Sequence, residues 1–539
     1  MSDTELKRRI AQLEARIANI EQQLSIKNTR EHATGQAELS GHPANSVASE
    51  DLEFRIGQFW LAKTGIVILA IGIAFLLTFP YKGLPPGLPS LAGYVLVGLL
   101  FFISYKWHSS FTHIADYLAG GALLLLYFTT LRLHYFSDEP IITDKFVEIG
   151  LLSGVVVINL IISIRKKAVF MTGISLTLGY ITAIVSDNAY IIFTINTLLA
   201  ILTVFLNIRY NWQNLFGYSI TLIYVIHLFW FLNNPIMGNR MTFVSEPAIN
   251  LLFLLLYTSI LASGNLFRKN RIAENNPIII TSFINCTAVI TLLLLITITK
   301  FRDVLFAYHM IASVLFLAYS VFFWIREHSK VSTFFYAIAG YTTLSIAIVA
   351  KFDNPDFFVF LSWQSLLVIS TAIWYRSKFI IVANFIIFLI IFITYLILSK
   401  EITPGSLSFG IVALVSARIM NWQKHRLELK TEIMRNAYLA SAFFMFPYAL
   451  YHIVPEGYVI IAWVGITLVY YILSHILKNI KYRWMALATL LLTVLYILAI
   501  GLIRLEPGLR ILSFILLGMV LLITSIIYTR LKSKSVTKN

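Results

Sequence analysis

Runs of about 20 apolar residues, repeated from near Gly57 almost to the end of the 539-residue chain, constrain the fold more than any other feature. A helix of that length, rising about 1.5 Å per residue, crosses roughly 30 Å of hydrocarbon. No alternating strand pattern competes with these runs. Only 13% of the residues are charged and 58% are hydrophobic. A soluble domain carries about twice that charged share, so the solvent is lipid. The sequence predicts an all-α fold: a polytopic transmembrane helical bundle of about 18 spans over residues 50–530.

A formal charge of +16 would point to nucleic acid in a soluble protein. Here the basic residues sit between apolar runs, in clusters such as Arg165-Lys166-Lys167, Arg268-Lys269 with Arg271, Arg376 with Lys378, and Lys478 with Lys481 and Arg483. They read as topology signals, and no nucleic-acid partner is expected. With the N-terminus inside, the inner loops hold about 19 Lys and Arg and the outer loops about 8. Both termini are then cytoplasmic, and the basic tail 531–539 falls inside. The first apolar run follows a hydrophilic stretch, which predicts an uncleaved anchor and not a signal peptide. One cysteine, Cys286, leaves no intrachain disulfide and no cysteine metal cluster.

Ahead of the spans, Leu6, Ile10, Leu13, Ile17, Ile20 and Leu24 alternate by four and three. That is the a/d seam of a short coiled coil over residues 1–27. So short a segment is marginal alone, which predicts self-association or a partner protein. Residues 28–49 are polar with Gly35, Gly41 and Pro43, a flexible linker. Glu50, Asp51 and Glu53 then favour a helix start leading into the first span.

Chemistry inside a span needs polar groups, and these are few. Lys63, Asp116, Arg132, Glu148, Arg418 and Arg510 lie within about two turns of expected helix ends, where long side chains reach the interface. No carboxylate falls at the membrane centre, which counts against a proton relay through the midplane. Lys63 with Asp116, and Arg132 with Glu148, sit at matching depths and form plausible ion pairs. His134, His227, His309 and His452 fall toward the outer ends, but no spacing joins any two of them as ligands. No metal and no cofactor is expected. Lys63, Asp116, Arg132, Glu148, His134 and Arg510 stand as substrate-binding or coupling candidates.

Asn159, Asn196, Asn285, Gln364 and Asn384 lie nearer the span centres and can bond a ligand or, by default, a neighbouring helix. Small residues, namely Gly65, Gly72, Gly93, Gly98, Ala119 to Ala122, Gly173 and Gly179, predict closest helix packing in the first third of the chain. Nucleotide, HExxH and GxSxG fingerprints are absent from the sequence.

The stretch Leu52-Glu53-Phe54-Arg55-Ile56-Gly57-Gln58-Phe59-Trp60, running into Thr64-Gly65-Ile66 and on to Gly72, resembles the opening signature of the bacterial membrane family called domain of unknown function 2339. Asp116-Tyr117-Leu118-Ala119-Gly120-Gly121-Ala122 is similar to its third-span glycine motif, and Arg510 to Gly518 to its closing span. The signature residues are Glu53, Gly57, Trp60, Gly65, Gly72, Gly120 and Gly121. The resemblance implies a many-spanning protein of the bacterial inner membrane. It carries no activity and no catalytic residue.

Three functions fit. Many spans, small loops and charges near both faces fit transporter- or flippase-like movement of a small molecule or lipid-linked substrate. The coiled coil and the empty midplane fit a non-enzymatic scaffold or accessory subunit of a cell-envelope complex. A membrane enzyme acting on lipid or glycan substrates would need His134, Asp138 and Glu148 to converge, and the absence of a His-acid motif leans away from it.

Overall fold

The computed structural model describes residues 87–109, 112–136, 140–267, 276–327, 329–399, 401–423, 432–501 and 511–522, with Ile68, Gly72, Pro85 and Gly508 as isolated positions. The expected coiled coil over 1–27, the linker over 28–49 and the basic tail over 531–539 lie outside the described residues. The described chain is helical without strands, as patterning by long apolar runs requires. It divides into two units, residues 1–141 and 142–539.

In the first unit, α1 (Gly87–Trp107) and α2 (Thr112–Leu131) pair as a hairpin. The Ser104 hydroxyl donates to the Ala115 carbonyl at 2.7 Å near the turn, and Tyr94 meets Thr130 at 3.1 Å at the other end. Between them Val97 and Leu125 form the apolar contact. Ala119, Gly120, Gly121 and Ala122 are all buried.

The second unit begins with α3 (Lys145–Arg165), α4 (Val169–Ser186), α5 (Ala189–Tyr210) and α6 (Gln213–Phe231). It continues through α7 (Asn250–Leu266), α8 (Asn276–Lys300), α9 (Arg302–Phe322) and α10 (Lys330–Lys351). Then come α11 (Asp356–Trp374), α12 (Lys378–Leu398), α13 (Leu407–Trp422) and α14 (Glu432–Ile453). The last described helices are α15 (Val459–Leu477), α16 (Ile480–Tyr496) and α17 (Ile511–Leu522). Most helices pack on the next in sequence, and α5 with α7, α6 with α8, α8 with α10, and α11 with α13 pack across one intervening helix.

Short turns are made by residues suited to left-handed backbone. Asp187 and Asn211 close α4 and α5 at φ of 47° and 59°. Asn188 then caps α5 by accepting from the Tyr190 and Ile191 amides. Such caps satisfy amides that have no partner inside the helix.

Twelve described helices are long and apolar enough to cross a membrane, against the expected count of about 18. The difference lies partly in where helices start. The apolar stretch 245–266 becomes helical only at Asn250, after Pro247, and Asn250 Nδ2 ties back to the Ser245 and Pro247 carbonyls at 2.8 and 2.9 Å. The apolar stretch 404–422 opens with a 3-10 turn, Pro404–Ser406, which shortens α13 to 16 residues.

The closest helix approaches also differ from expectation. Gly179 does hold α4 near α3 and α5, where an added Cβ would lie 3.0 Å from Leu199 and 3.3 Å from Val156. Gly72 and Gly98, however, have open space at that position. Close sites among the described residues also include Gly264 against Phe216, Gly340 against Leu317 and Gly410 against Phe446, at 2.6 to 2.7 Å, in the middle and later helices. At Gly340 a Cβ would also lie 3.2 Å from the Leu317 backbone nitrogen, so relief would require α9 to move away from α10. Gly340→Ala is expected to cost about 1–3 kcal/mol as overpacking. Gly150→Ala, with nothing within 4 Å, should be neutral or slightly stabilising. Thermal unfolding of both variants in detergent tests this, and equal shifts would contradict it.

Candidate functional site

Polar side chains inside lipid-embedded helices must find partners, and the second unit shows where they find them. Asn285 on α8 is the hub. Its Oδ1 accepts from the Tyr224 hydroxyl of α6 at 2.6 Å, and its Nδ2 donates to the Tyr336 hydroxyl of α10 at 2.9 Å and to the Thr258 carbonyl of α7 at 3.3 Å. Tyr224 also meets the Thr258 hydroxyl at 3.0 Å. One carboxamide thus joins four helices, with Cys286 buried beside it as a small packed thiol.

Further bonds extend the network. Asn207 Nδ2 donates to the Gly264 carbonyl at 3.1 Å, where the missing side chain lets α5 reach α7. Asn265 donates to Thr281 at 3.0 Å, and Ser282 continues to Ser332 at 3.2 Å. All these groups are neutral. The network can lock helices together, but it offers no charge for coupling.

Buried His227 of α6 bonds the Tyr257 hydroxyl through Nδ1 and stacks on Phe193 at 5.3 Å, with Trp230 edge-on. His309 is buried on α9 and bonds the Leu305 carbonyl through Nδ1 at 2.9 Å. His452 is exposed near the end of α14 against Tyr448 and Tyr451. His134 lies half-buried just beyond α2. Among the described residues no group of three or more His, Cys, Asp or Glu could hold a metal ion.

Of the other candidates, Asp116 is half-buried on α2 and Arg132 is buried at its end. Glu148, in the first turn of α3, is fully buried, and neither of its carboxylate oxygens has a hydrogen-bond partner among the described residues. Asn196 on α5 is buried in the same condition. Lys63, Arg510, Glu53, Gly57, Trp60 and Gly65 lie outside the described residues.

A second polar cluster borders space. Between α10, α11 and α12 lies a half-open cavity of about 160 Å³, lined by Tyr341, Ser345, Gln364, Ser365 and Asn384 under an apolar rim that includes Ile338 and Ile387. Gln364 Nε2 donates to the Tyr341 carbonyl at 2.8 Å and to the Ser345 hydroxyl at 2.9 Å. Asn384 Nδ2 donates to the Ser365 carbonyl at 3.2 Å and its hydroxyl at 2.9 Å, which leaves Oδ1 to accept. The buried Tyr438 hydroxyl stands beside Ser365 and Asn384 without a well-formed hydrogen bond. No charged residue lines the cavity.

Gln364 is the ninth residue of the 19 in α11 and Asn384 the seventh of the 21 in α12, so the cavity sits between a third and half of the way along these helices. Ile387 at its rim is 53% exposed, the mark of a face turned to lipid. The sequence offered Gln364 and Asn384 as separate polar residues. It gave no sign that Ser345 and Ser365 join them, because that depends on which helices are neighbours.

A family profile described as "Predicted membrane protein (DUF2339)" matches residues 57–453, well over half of the chain. No curated protein and no solved structure matches it.

Proposed function

The chain belongs to the DUF2339 family of predicted membrane proteins, and from that premise we propose transporter- or flippase-like movement of an uncharged, hydroxyl-bearing substrate through the bilayer. The observation that carries the reading is the lateral cavity between α10, α11 and α12. Carboxamide and hydroxyl groups at that depth are expensive in hydrocarbon unless something uses them. A neutral head group that hydrogen-bonds these groups recovers much of its desolvation cost, whereas a charged one meets no countercharge in the cavity. The half-open rim provides a way in from the lipid.

The test is trans-bilayer movement of a fluorescent, uncharged glycosyl lipid in proteoliposomes, followed by quenching of outer-leaflet fluorescence. Faster movement than in protein-free vesicles, with no acceleration of a phosphatidylserine analogue, is the expected result. No acceleration of either lipid would sink the reading. The scaffold or accessory-subunit reading would then lead, since the well-bonded network around Asn285 also suits a rigid interaction platform.

We further propose that the protein lies in a bacterial inner membrane with both ends cytoplasmic, and that residues 1–27 mediate self-association or bind a partner. The clustered charge supports the orientation: Arg165 ends α3 and Lys166 and Lys167 follow it, while Asp353 precedes and Asp356 opens α11. With buried Cys286 as the background thiol, Lys166→Cys should label with impermeant maleimide only after lysis. Asp353→Cys should label on intact spheroplasts. The reverse pattern would invert the orientation.

A further inference from the structure

We propose that the end of the bundle where α13 finishes and α14 and α16 begin is a binding site for one anionic phospholipid. α14 and α16 start at the same end and barely touch, leaving an open groove of about 300 Å³ between them. Leu439, Ala440, Phe443, Met485 and Ala488 line its length, and Trp484, 67% exposed, stands beside it. From Asn436 to Phe443, and from Lys481 to Ala488, the groove runs seven residues along each helix, or roughly 10 Å. That suits the upper part of an acyl chain.

The mouth of the groove is cationic. Lys481 Nζ is held by Asn436 at 2.6 Å and by Glu432 at 3.3 Å, and Arg435 reaches Asn421 at 2.5 Å and Glu432 at 3.8 Å. Arg418 and Arg435 line an adjoining crevice with Asn421, Asn479 and Tyr482, and both act electrostatically on the Tyr482 hydroxyl. Among the described residues, Lys481 and Arg435 both pair with Glu432, which is 72% exposed, and Arg418 adds a third cation in the adjoining crevice. Arg435 Nε is buried without a hydrogen-bond partner. The amino ends of two helices add partial positive charge at the same level.

A phosphodiester at the mouth with a chain in the groove satisfies both halves of this surface. A zwitterionic lipid fills the groove but gains less at the mouth, and a free anion gains nothing from the groove. This site is separate from the neutral cavity and does not depend on it.

Native mass spectrometry of the purified full chain, titrated with dioleoyl phosphatidylglycerol and dioleoyl phosphatidylcholine, tests the proposal. The expected preference for phosphatidylglycerol is roughly tenfold. R418Q combined with K481Q should abolish the preference while lowering the melting temperature in phosphatidylcholine by no more than the loss of an exposed ion pair. A440W, which fills the groove without touching charge, should weaken both lipids alike. Equal binding of the two lipids by the native protein would overturn the site. So would a preference that survives in the double variant, or displacement of the lipid by millimolar inorganic phosphate alone.

Discussion

Replacing Asn285 by leucine is expected to destabilise the protein by roughly 2–3 kcal/mol, the largest loss from any single polar substitution among the described helices. Leucine has the branching and heavy-atom count of asparagine with bulkier ends, so the change removes bonds without opening a void. Tyr224 keeps the Thr258 hydroxyl, but Tyr336 loses the carboxamide that holds it and becomes a stranded hydroxyl at full burial. Individual interhelical hydrogen bonds in membranes contribute about 0.6 kcal/mol on average and up to about 1.7. Asn285 makes three such links, to α6, α7 and α10, and the stranded Tyr336 hydroxyl adds its desolvation.

Reversible unfolding in mixed micelles gives the measurement, and Tyr336→Phe gives the control. If the Asn285–Tyr336 bond carries the effect, the double variant should lose about 1 kcal/mol less than the sum of the two single losses. Strict additivity would mean that the bond contributes nothing and that the network only fills space.

The same residue shows how far the sequence could be read. Its apolar context placed Asn285 inside a span, and its type predicted a bond to a neighbouring helix; both statements hold in the structure. Which tyrosines it meets depends on α6 and α10 lying against α8, and hydropathy is silent on helix order. Glycine spacing was less informative than it looked. Gly340 and Gly410 carry close contacts because Leu317 and Phe446 oppose them on other helices. Gly98 has no such neighbour. His227 and His309 were legible as polar residues toward helix ends, where an interfacial place was expected, but their full burial was not. The cavity left no trace in sequence, since Ser345, Gln364, Ser365 and Asn384 come from three helices and share no motif.

The second large effect belongs to that cavity. Gln364→Leu combined with Asn384→Leu is expected to slow glycosyl-lipid movement about 30-fold or more while changing stability less than Asn285→Leu does. Two carboxamides at about 1 kcal/mol or more per hydrogen bond to the ligand give roughly 2 kcal/mol, and a sugar hydroxyl left unpaired in hydrocarbon adds to it. The fold loses less. Gln364 and Asn384 bond mainly to carbonyls and hydroxyls next to the opening, and the Tyr341 and Ser365 carbonyls lie within regular helices that supply their own amides. The bonds lost here also run between helices, but the acceptor carbonyls keep their own helix amides and Ser345 keeps the Tyr341 carbonyl, whereas the loss at Asn285 strands Tyr336 at full burial, so binding and folding separate in this variant. Slowed movement with a near-native melting temperature would place the cavity on the substrate's path. Unchanged movement in a folded protein would take it off that path, and the route would then have to be sought among the helices that surround Asn196 and Glu148.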